Sequence, residues 1–113
     1  MACKCIHVAN NYVVNDSSTN VVLQFSTAAT ASDKDRFCFK VVTALPAASA
    51  TYSLYATVNG NSVPVLNKYG NPMLVSDVKT NRMYKGWYGT DSTAHIIASN
   101  TPVTYNAGCG NVL

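Results

Sequence analysis

The sequence contains no glutamate, a single glutamine and few charges of either sign. The chain has five aspartates and eight Lys and Arg residues, which gives a net charge of +3. Charged residues make up only 12% of the chain and form no basic stripe, a pattern that argues against nucleic acid as a partner. We therefore expect uncharged polar residues or subunit contacts to cover much of the surface.

Long apolar runs are missing as well. No stretch approaches the roughly 18 apolar residues of a membrane helix, so we expect no membrane partner. The opening Met1-Ala2-Cys3-Lys4 leads into an interrupted apolar segment, unlike the continuous one of a signal peptide. We therefore expect synthesis in a cytosol, where cysteines are reduced by default.

Groups that could perform catalysis are scarce. The five aspartates lie in predicted turns or loops, and neither His7 nor His95 stands in a nucleophile motif. A Cys38–His95 pair is the one nucleophilic arrangement left open, and it has no sequence signature. We therefore predict no catalytic residue, no cofactor and no enzymatic activity.

The chain is rich in residues that favour β-strands, with fourteen Val, eleven Thr and seven Tyr. Alternation of apolar side chains predicts strong strands at residues 37–43 and 51–58. Asn59-Gly60 follows the second of these and predicts a type I′ hairpin turn, because both residues tolerate positive φ. A second hairpin is predicted from residues 82–88 and 94–98.

The remaining signals describe one all-β domain over residues 1–113. We predict an antiparallel β-sandwich of jelly-roll or Ig-like type, with about eight to nine short strands and no significant helix. A closed barrel is the second choice. An Asn10-Asn11 turn is predicted between two N-terminal strands, and a last strand at residues 101–105. Pro64 predicts an edge strand or a bulge, because proline donates no hydrogen bond.

The N-terminal cysteines raise the question of a metal. On a strand, Cys3, Cys5 and His7 point to one face, as zinc ligands could. However, sulfurs two residues apart on a strand are about 6.5–7 Å from each other, too far for tetrahedral zinc. We therefore predict no metal site and expect Cys38 to be a buried thiol. A disulfide between Cys109 and an N-terminal cysteine stays open.

Aromatic residues near residue 85 offer a candidate ligand-stacking face. Tyr84 and Tyr88 share one face of their predicted strand, and Trp87 lies on the other. One face has to belong to the core, and the other is available to a ligand or partner. The predicted ligand-stacking residues are therefore Tyr84, Tyr88 and Trp87.

Residues 76–100 read SDVKTNRMYKGWYGTDSTAHIIASN. This segment resembles a pattern of tailed-bacteriophage virion proteins, in which a D-x-K-x-N-x-x-Y approach leads into a strand, a turn and a return strand. Residues 59–66, followed by Lys68 and Gly70-Asn71-Pro72, are similar to the same modules. The resemblance is to decoration, head-fibre and tail-fibre proteins, and it implies a structural or attachment role without catalytic residues.

The predicted function is thus that of a structural virion protein, a capsid decoration or fibre-type subunit that acts by packing. The alternative is a carbohydrate- or receptor-binding β-sandwich module. The expected partners are other virion subunits, in a homo-oligomer or a capsid shell, with a host-surface glycan as the alternative. The two chain ends have the least rationale within one domain, so the predicted interface residues are Met1, Cys3, Cys5, Asn106, Cys109 and Leu113.

Overall fold

The computed structural model describes residues 6–90 and 93–99. They form seven strands: β1 (Ile6–Asn15), β2 (Asn20–Phe25), β3 (Arg36–Val41), β4 (Ser53–Val58), β5 (Asn61–Leu66), β6 (Met83–Gly89) and β7 (His95–Ser99). Two short 3₁₀ turns cover Ala47–Ser49 and Val75–Asp77. The described residues contain no α-helix, which confirms the all-β prediction.

The strands close into a single barrel in the order β1-β2-β4-β5-β7-β6-β3. The predicted sandwich of about eight to nine strands is therefore wrong: the described chain forms a ring of seven. A ring of seven strands cannot alternate in direction all the way round. Its closure requires parallel neighbours, which here are β1 with β3, β2 with β4, and β5 with β7.

The interior of the ring is filled by side chains from alternate strand positions. The largest of them with essentially no exposure are Leu23, Phe37, Phe39, Leu54, Tyr84 and Ile96, and Met73, from the connection between β5 and β6, is buried with them. Full burial of such a side chain stabilises the fold by roughly 1.5–3 kcal/mol. Because the ring encloses them on all sides, every strand contributes to one common core.

The predicted Asn10-Asn11 turn is wrong, because β1 runs without interruption through these residues. The register of β1 against β2 shifts between Ala9 and Asn11, so Asn10 is the extra residue of a β-bulge. The bulge keeps apolar side chains inward on both sides of it: Ala9 is fully buried, and Tyr12 packs against the core.

Both predicted hairpins are confirmed. Val58 pairs with Asn61 across Asn59 and Gly60, whose φ angles of 55° and 79° are those of a type I′ turn. The second hairpin is the antiparallel pair β6–β7. In contrast, β5 is not an edge strand, although its pairing with β7 begins only at Val65, directly after Pro64.

The Asn59 side chain also holds the loop of residues 26–35 against the barrel. Its Oδ1 accepts a hydrogen bond from the Ala31 N–H (3.0 Å), and its Nδ2 donates to the Ala31 carbonyl (2.9 Å). The backbone N–H of Asn59 donates to the carbonyl of Ala29 at 2.9 Å. Asn59 therefore acts as both a turn residue and an anchor for the loop that leads into β3.

We predict that Gly60→Val lowers the free energy of unfolding by over about 1 kcal/mol. A Cβ at this position meets no atom within 4 Å, so the loss comes from the positive φ and not from a steric clash. Gly60→Asn is the matched control, because Asn tolerates this conformation and should cost less. Urea denaturation measures both, and equal stability of the Val variant and the wild type contradicts the turn geometry.

Candidate functional site

The outer surface of the barrel has two chemically different sides. The strands β1, β2, β4 and β5 contain no Lys, Arg, Asp or Glu at any position. We call their outer surface the neutral side. The strand cations Arg36, Lys40 and Lys85 all belong to β3 and β6, and we call the outer surface of β3, β6 and β7 the cationic side.

An apolar band crosses the neutral side from strand to strand. Val13 of β1 pairs with Val22 of β2, Val22 pairs with Tyr55 of β4, and Tyr55 pairs with Pro64 of β5. All four lie between inward-facing neighbours and therefore point outward. Val13 is 42% exposed, Tyr55 and Pro64 are half-buried, and Val22 is only 6% exposed, so the band is open to solvent in part.

Uncharged polar side chains surround this band. The outward positions beside it are Asn11, Asn15, Asn20, Gln24, Ser53, Thr57 and Ser62. Amide pairs join β1 to β2, with Asn15 Nδ2 donating to Asn20 Oδ1 at 2.9 Å and Asn11 Nδ2 donating to Gln24 Oε1 at 3.3 Å. The neutral side thus has an apolar centre and a polar rim without charge.

The cationic side contains an open groove next to the chain's single tryptophan. The groove has a volume of about 420 Å³ and is lined by Lys34, Arg36, Lys85, Gly86 and Trp87. We call it the β6 groove. Trp87 is 50% exposed, because its position in β6 alternates with the buried Tyr84 and Tyr88.

Strand register brings the groove residues together. Arg36 on β3 lies directly opposite Trp87 on β6, and Lys85 precedes Trp87 by two residues on the same outer face. On the other flank, Trp87 is paired with the half-buried Ile97 of β7. The indole therefore has a cationic neighbour on one side and an aliphatic neighbour on the other.

Lys34 reaches the groove because its loop continues the β3–β6 ladder. Its N–H donates to the Tyr88 carbonyl at 2.7 Å, and the Tyr88 N–H donates to the Asp35 carbonyl at 2.8 Å. The carboxylate of Asp33 accepts a hydrogen bond from the Thr90 N–H at 2.9 Å. Lys34 itself has a φ of +71°, a left-handed conformation that is unusual for lysine.

The groove cations have no counter-ion within the described part of the chain. No carboxylate there forms an ion pair with Lys34, Arg36 or Lys85. The carboxylates of the neighbouring Asp33 and Asp35 accept hydrogen bonds from backbone N–H groups instead. No carboxylate of the described residues therefore neutralises the positive charge of the groove.

The structure separates the three predicted stacking residues. Tyr84 is 0% exposed and Tyr88 is 4% exposed, so both belong to the core and cannot stack on an external ligand. The Tyr84 hydroxyl accepts a hydrogen bond from the Lys79 N–H at 2.7 Å, which satisfies it inside the protein. Trp87 alone is positioned on the outside.

Sequence reasoning did not identify Lys34 and Arg36 as site residues. Residues 33–36 alternate in charge, which predicts a solvated loop. All four are exposed, but Arg36 is already the first residue of β3. Lys85 shares a strand face with Trp87, which was visible from alternation alone. Arg36 joins them only through the pairing of β3 with β6, for which the sequence contains no local signal.

His7 lies inside an aromatic cluster. Its imidazole stacks on Phe37, with ring centroids 4.4 Å apart, and lies 5.5 Å from the ring of Phe25. Its predicted neighbours Cys3 and Cys5 are outside the described residues, as are Asn106, Cys109 and the ends Met1 and Leu113. Within residues 6–90 and 93–99, no group of three or more potential ligands is arranged to hold a metal. Cys38 is fully buried.

Comparisons with protein-family models, with curated proteins and with solved structures found no match to this chain. In the part of the chain that the structure describes, no helix has the length and apolar character needed to cross a membrane.

We predict that Gly86→Ala destabilises the barrel by about 1–3 kcal/mol. A Cβ on Gly86 would collide with the backbone carbonyl of Ile97 on β7, so the strand pairing below the groove has to shift. Gly89→Ala, in the same strand, is the control: its Cβ would meet the His95 ring, at 3.0 Å from Nε2, and a side chain can move aside. Chemical denaturation should therefore give a larger loss for Gly86→Ala, and the reverse order contradicts this contact.

We predict that His7 makes the fold less stable in mild acid. Burial lowers the pKa of its imidazole below the ordinary 6.5. The unfolded chain therefore binds the proton first, and stability falls as the pH decreases from about 6.5 towards the folded-state pKa. Urea denaturation between pH 8 and pH 5 measures this loss, in a range where most aspartates stay ionised.

A variant isolates the contribution of His7 to this pH dependence. His7→Phe keeps an aromatic ring beside Phe37 but cannot be protonated, so its stability should change less over the same pH range. His95→Gln is the control: it replaces a different histidine, so the pH dependence of stability that comes from His7 should remain. If the stability of His7→Phe depends on pH as strongly as that of the wild type, His7 is not the source of the pH dependence.

Proposed function

We propose that this chain is a structural virion protein of a bacteriophage, a capsid decoration or fibre-type subunit that acts by packing against other subunits. The resemblance of residues 76–100 to phage virion modules supports this proposal. Within that segment, Ser76 and Asp77 end the Val75–Asp77 turn, and residues 83–89 and 95–99 form the β6–β7 hairpin, in the approach, strand and return order of the pattern.

The observation that carries the proposal is the neutral side of the barrel. The cores of protein interfaces are depleted in charged residues, and their rims are polar. The apolar band of Val13, Val22, Tyr55 and Pro64, with its rim of uncharged amides and hydroxyls, has this composition. A surface without charge on four adjacent strands is suited to permanent contact with another subunit.

The occupant that we propose for the neutral side is a second copy of the same chain. In a two-fold dimer the same patch meets itself, and an uncharged patch with a central apolar band can do so without like-charge repulsion. β2, β4 and β5 have six residues each and β1 has ten, so the four strands would cover roughly 19 by 20 Å if they were unrolled over their six-residue overlap. They curve around about half of the closed ring, so a flat contact covers less than this area. This is below the roughly 800 Å² per partner of a standard interface, so other segments, such as the chain ends, are expected to add contact area.

A non-catalytic role is supported by the contacts of the two histidines. The ring of His7 is stacked on Phe37 inside the aromatic cluster. The Nδ1 atom of His95 is 2.7 Å from the carbonyl of Thr93, to which it donates in the corresponding tautomer. Both imidazoles are thus engaged in local structure.

A second candidate function is attachment to a host-surface ligand, which the β6 groove favours. A binding site commonly combines an exposed aromatic side chain with a few convergent polar groups, and the groove combines Trp87 with three cations. The two functions use different sides of the barrel, so one subunit can perform both.

We predict that Tyr55→Lys abolishes self-association of the chain without unfolding it. In a symmetric interface the substitution introduces two like charges at the apolar centre, where their desolvation is costly. The control is Tyr69→Lys, the same substitution at a side chain that is 77% exposed and lies in the loop after β5, outside the band. Sedimentation velocity measures the association, and far-UV circular dichroism checks the fold.

Two outcomes contradict the proposed packing. One is a wild-type chain that stays monomeric at concentrations of about 100 µM, which excludes a stable homo-oligomer. The other is equal association of Tyr55→Lys and the wild type, which excludes the neutral side as the interface.

The contribution of the chain ends is tested by removing residues 106–113. The seven described strands lie between Ile6 and Ser99, so the truncated chain should keep its β signal in circular dichroism. Its association should be weaker than that of the full chain. Normal association shows that the C-terminal segment is no interface element, and loss of the β signal shows that it belongs to the core.

A further inference from the structure

We propose that the β6 groove binds an acidic sugar, a pyranose residue that carries a carboxylate or a sulfate. This proposal rests on the second candidate function, attachment to a host-surface ligand, and adds the chemical class of that ligand. It does not depend on packing through the neutral side, because the groove lies on the cationic side.

The charge of the groove requires an anionic ligand. Lys34, Arg36 and Lys85 line one volume of about 420 Å³, and no carboxylate of the described chain pairs with them. The guanidinium of Arg36 can hold both oxygens of a carboxylate or two oxygens of a sulfate at once. The two lysines add charge without a fixed geometry.

The indole of Trp87 requires that the ligand also has an apolar face. Among the described residues, the one cation placed over an aromatic ring is Lys68, 5.4 Å from the centre of the Tyr69 ring. The Trp87 ring has no such cation over it, and half of its surface is exposed. A pyranose ring presents a flat face of C–H groups that packs on an aromatic ring, with its charged substituent at the edge.

An acidic peptide fits the groove less well. Extended peptides commonly bind by adding a strand to a free sheet edge, where their backbone finds hydrogen-bond partners. Here β6 is paired with both β3 and β7 inside the closed ring, so the groove offers no edge. A peptide would have to leave its backbone groups to water.

Single-stranded nucleic acid also fits less well. Such strands are usually held by several aromatic side chains on which successive bases stack. The groove has one exposed aromatic residue, because Tyr84 and Tyr88 point into the core. A volume of about 420 Å³ lies within the range of about 300–1,000 Å³ typical of small-ligand sites, which suits a few sugar residues.

Tryptophan fluorescence of the full chain tests this proposal directly, because Trp87 is the single tryptophan. The probes are a tetragalacturonate for the carboxylate, a heparin-derived tetrasaccharide for the sulfate, and maltotetraose as the neutral sugar. We expect a saturable fluorescence change with one or both acidic sugars and none with maltotetraose. The affinity should fall as the salt concentration rises, since the cations are exposed.

Variants of the groove and of a matched site identify the residues responsible. Arg36→Gln and Lys85→Gln should each weaken the binding of the acidic sugar by roughly tenfold. Trp87→Ala should weaken it to a similar extent in calorimetry, with the fold checked by circular dichroism. The controls are Lys68→Gln and Tyr69→Ala, a cation and an exposed aromatic residue outside the groove, and they should bind as the wild type does.

The outcomes separate this inference from the attachment role itself. If maltotetraose binds as tightly as the acidic sugars, or if Arg36→Gln binds the acidic sugar with unchanged affinity, the groove does not select an acidic sugar and the proposal is wrong. Tighter binding of oligo(dT) or of poly-glutamate to the groove overturns it too, while it leaves a role in attachment. If no probe of any class changes the Trp87 fluorescence, both the acidic sugar and the attachment role of the groove are overturned.

Discussion

The parallel pairing of β1 with β3 is the contact on which the rest of the structure depends. It joins residues 6–9 to residues 38–41 and closes the ring. Without it, β1 and β3 would be the two edges of an open sheet, and Phe37, Phe39 and Val41 would have no enclosed interior to fill. Closure also fixes β3 between β1 and β6, and this position sets Arg36 opposite Trp87.

The local elements of the fold could be predicted, and the ring could not. Asn59-Gly60 and the alternation in residues 37–43 and 51–58 are signals between neighbours in sequence, and the structure contains the corresponding turn and strands. Each parallel pair, in contrast, joins strands that are separated by another strand. Alternation divides the residues of a strand between its two faces, but a sandwich and a barrel both bury one face of each strand, so it does not distinguish them. Asn10-Asn11 is ambiguous even at short range, because polar residues such as these occur both in turns and in β-bulges.

In the candidate site, too, the local features could be predicted from the sequence and the long-range ones could not. Alternation separates Trp87 and Lys85 from Tyr84 and Tyr88, but it does not state which set faces the core. The structure decides this through the neighbours of β6, whose inward side chains meet the aromatic core, with Tyr84 stacked on Phe39 at 5.4 Å. The neutral side was present in the sequence as four strands without charge, yet its continuity depends on β2 being next to β4, which is a long-range pairing.

The alternation along β6 has a consequence for how such a protein can change during evolution. Tyr84 and Tyr88 are constrained by packing, and Gly86 by the carbonyl of Ile97, so substitutions there are opposed by loss of stability. Lys85 and Trp87, between them, and Arg36 across the strand pair, contribute little to the core. Mutations at these outer positions can therefore change the charge and shape of the groove while the barrel stays intact. The strand therefore combines inward positions that are constrained by packing with outward positions that are free to diversify, one residue at a time.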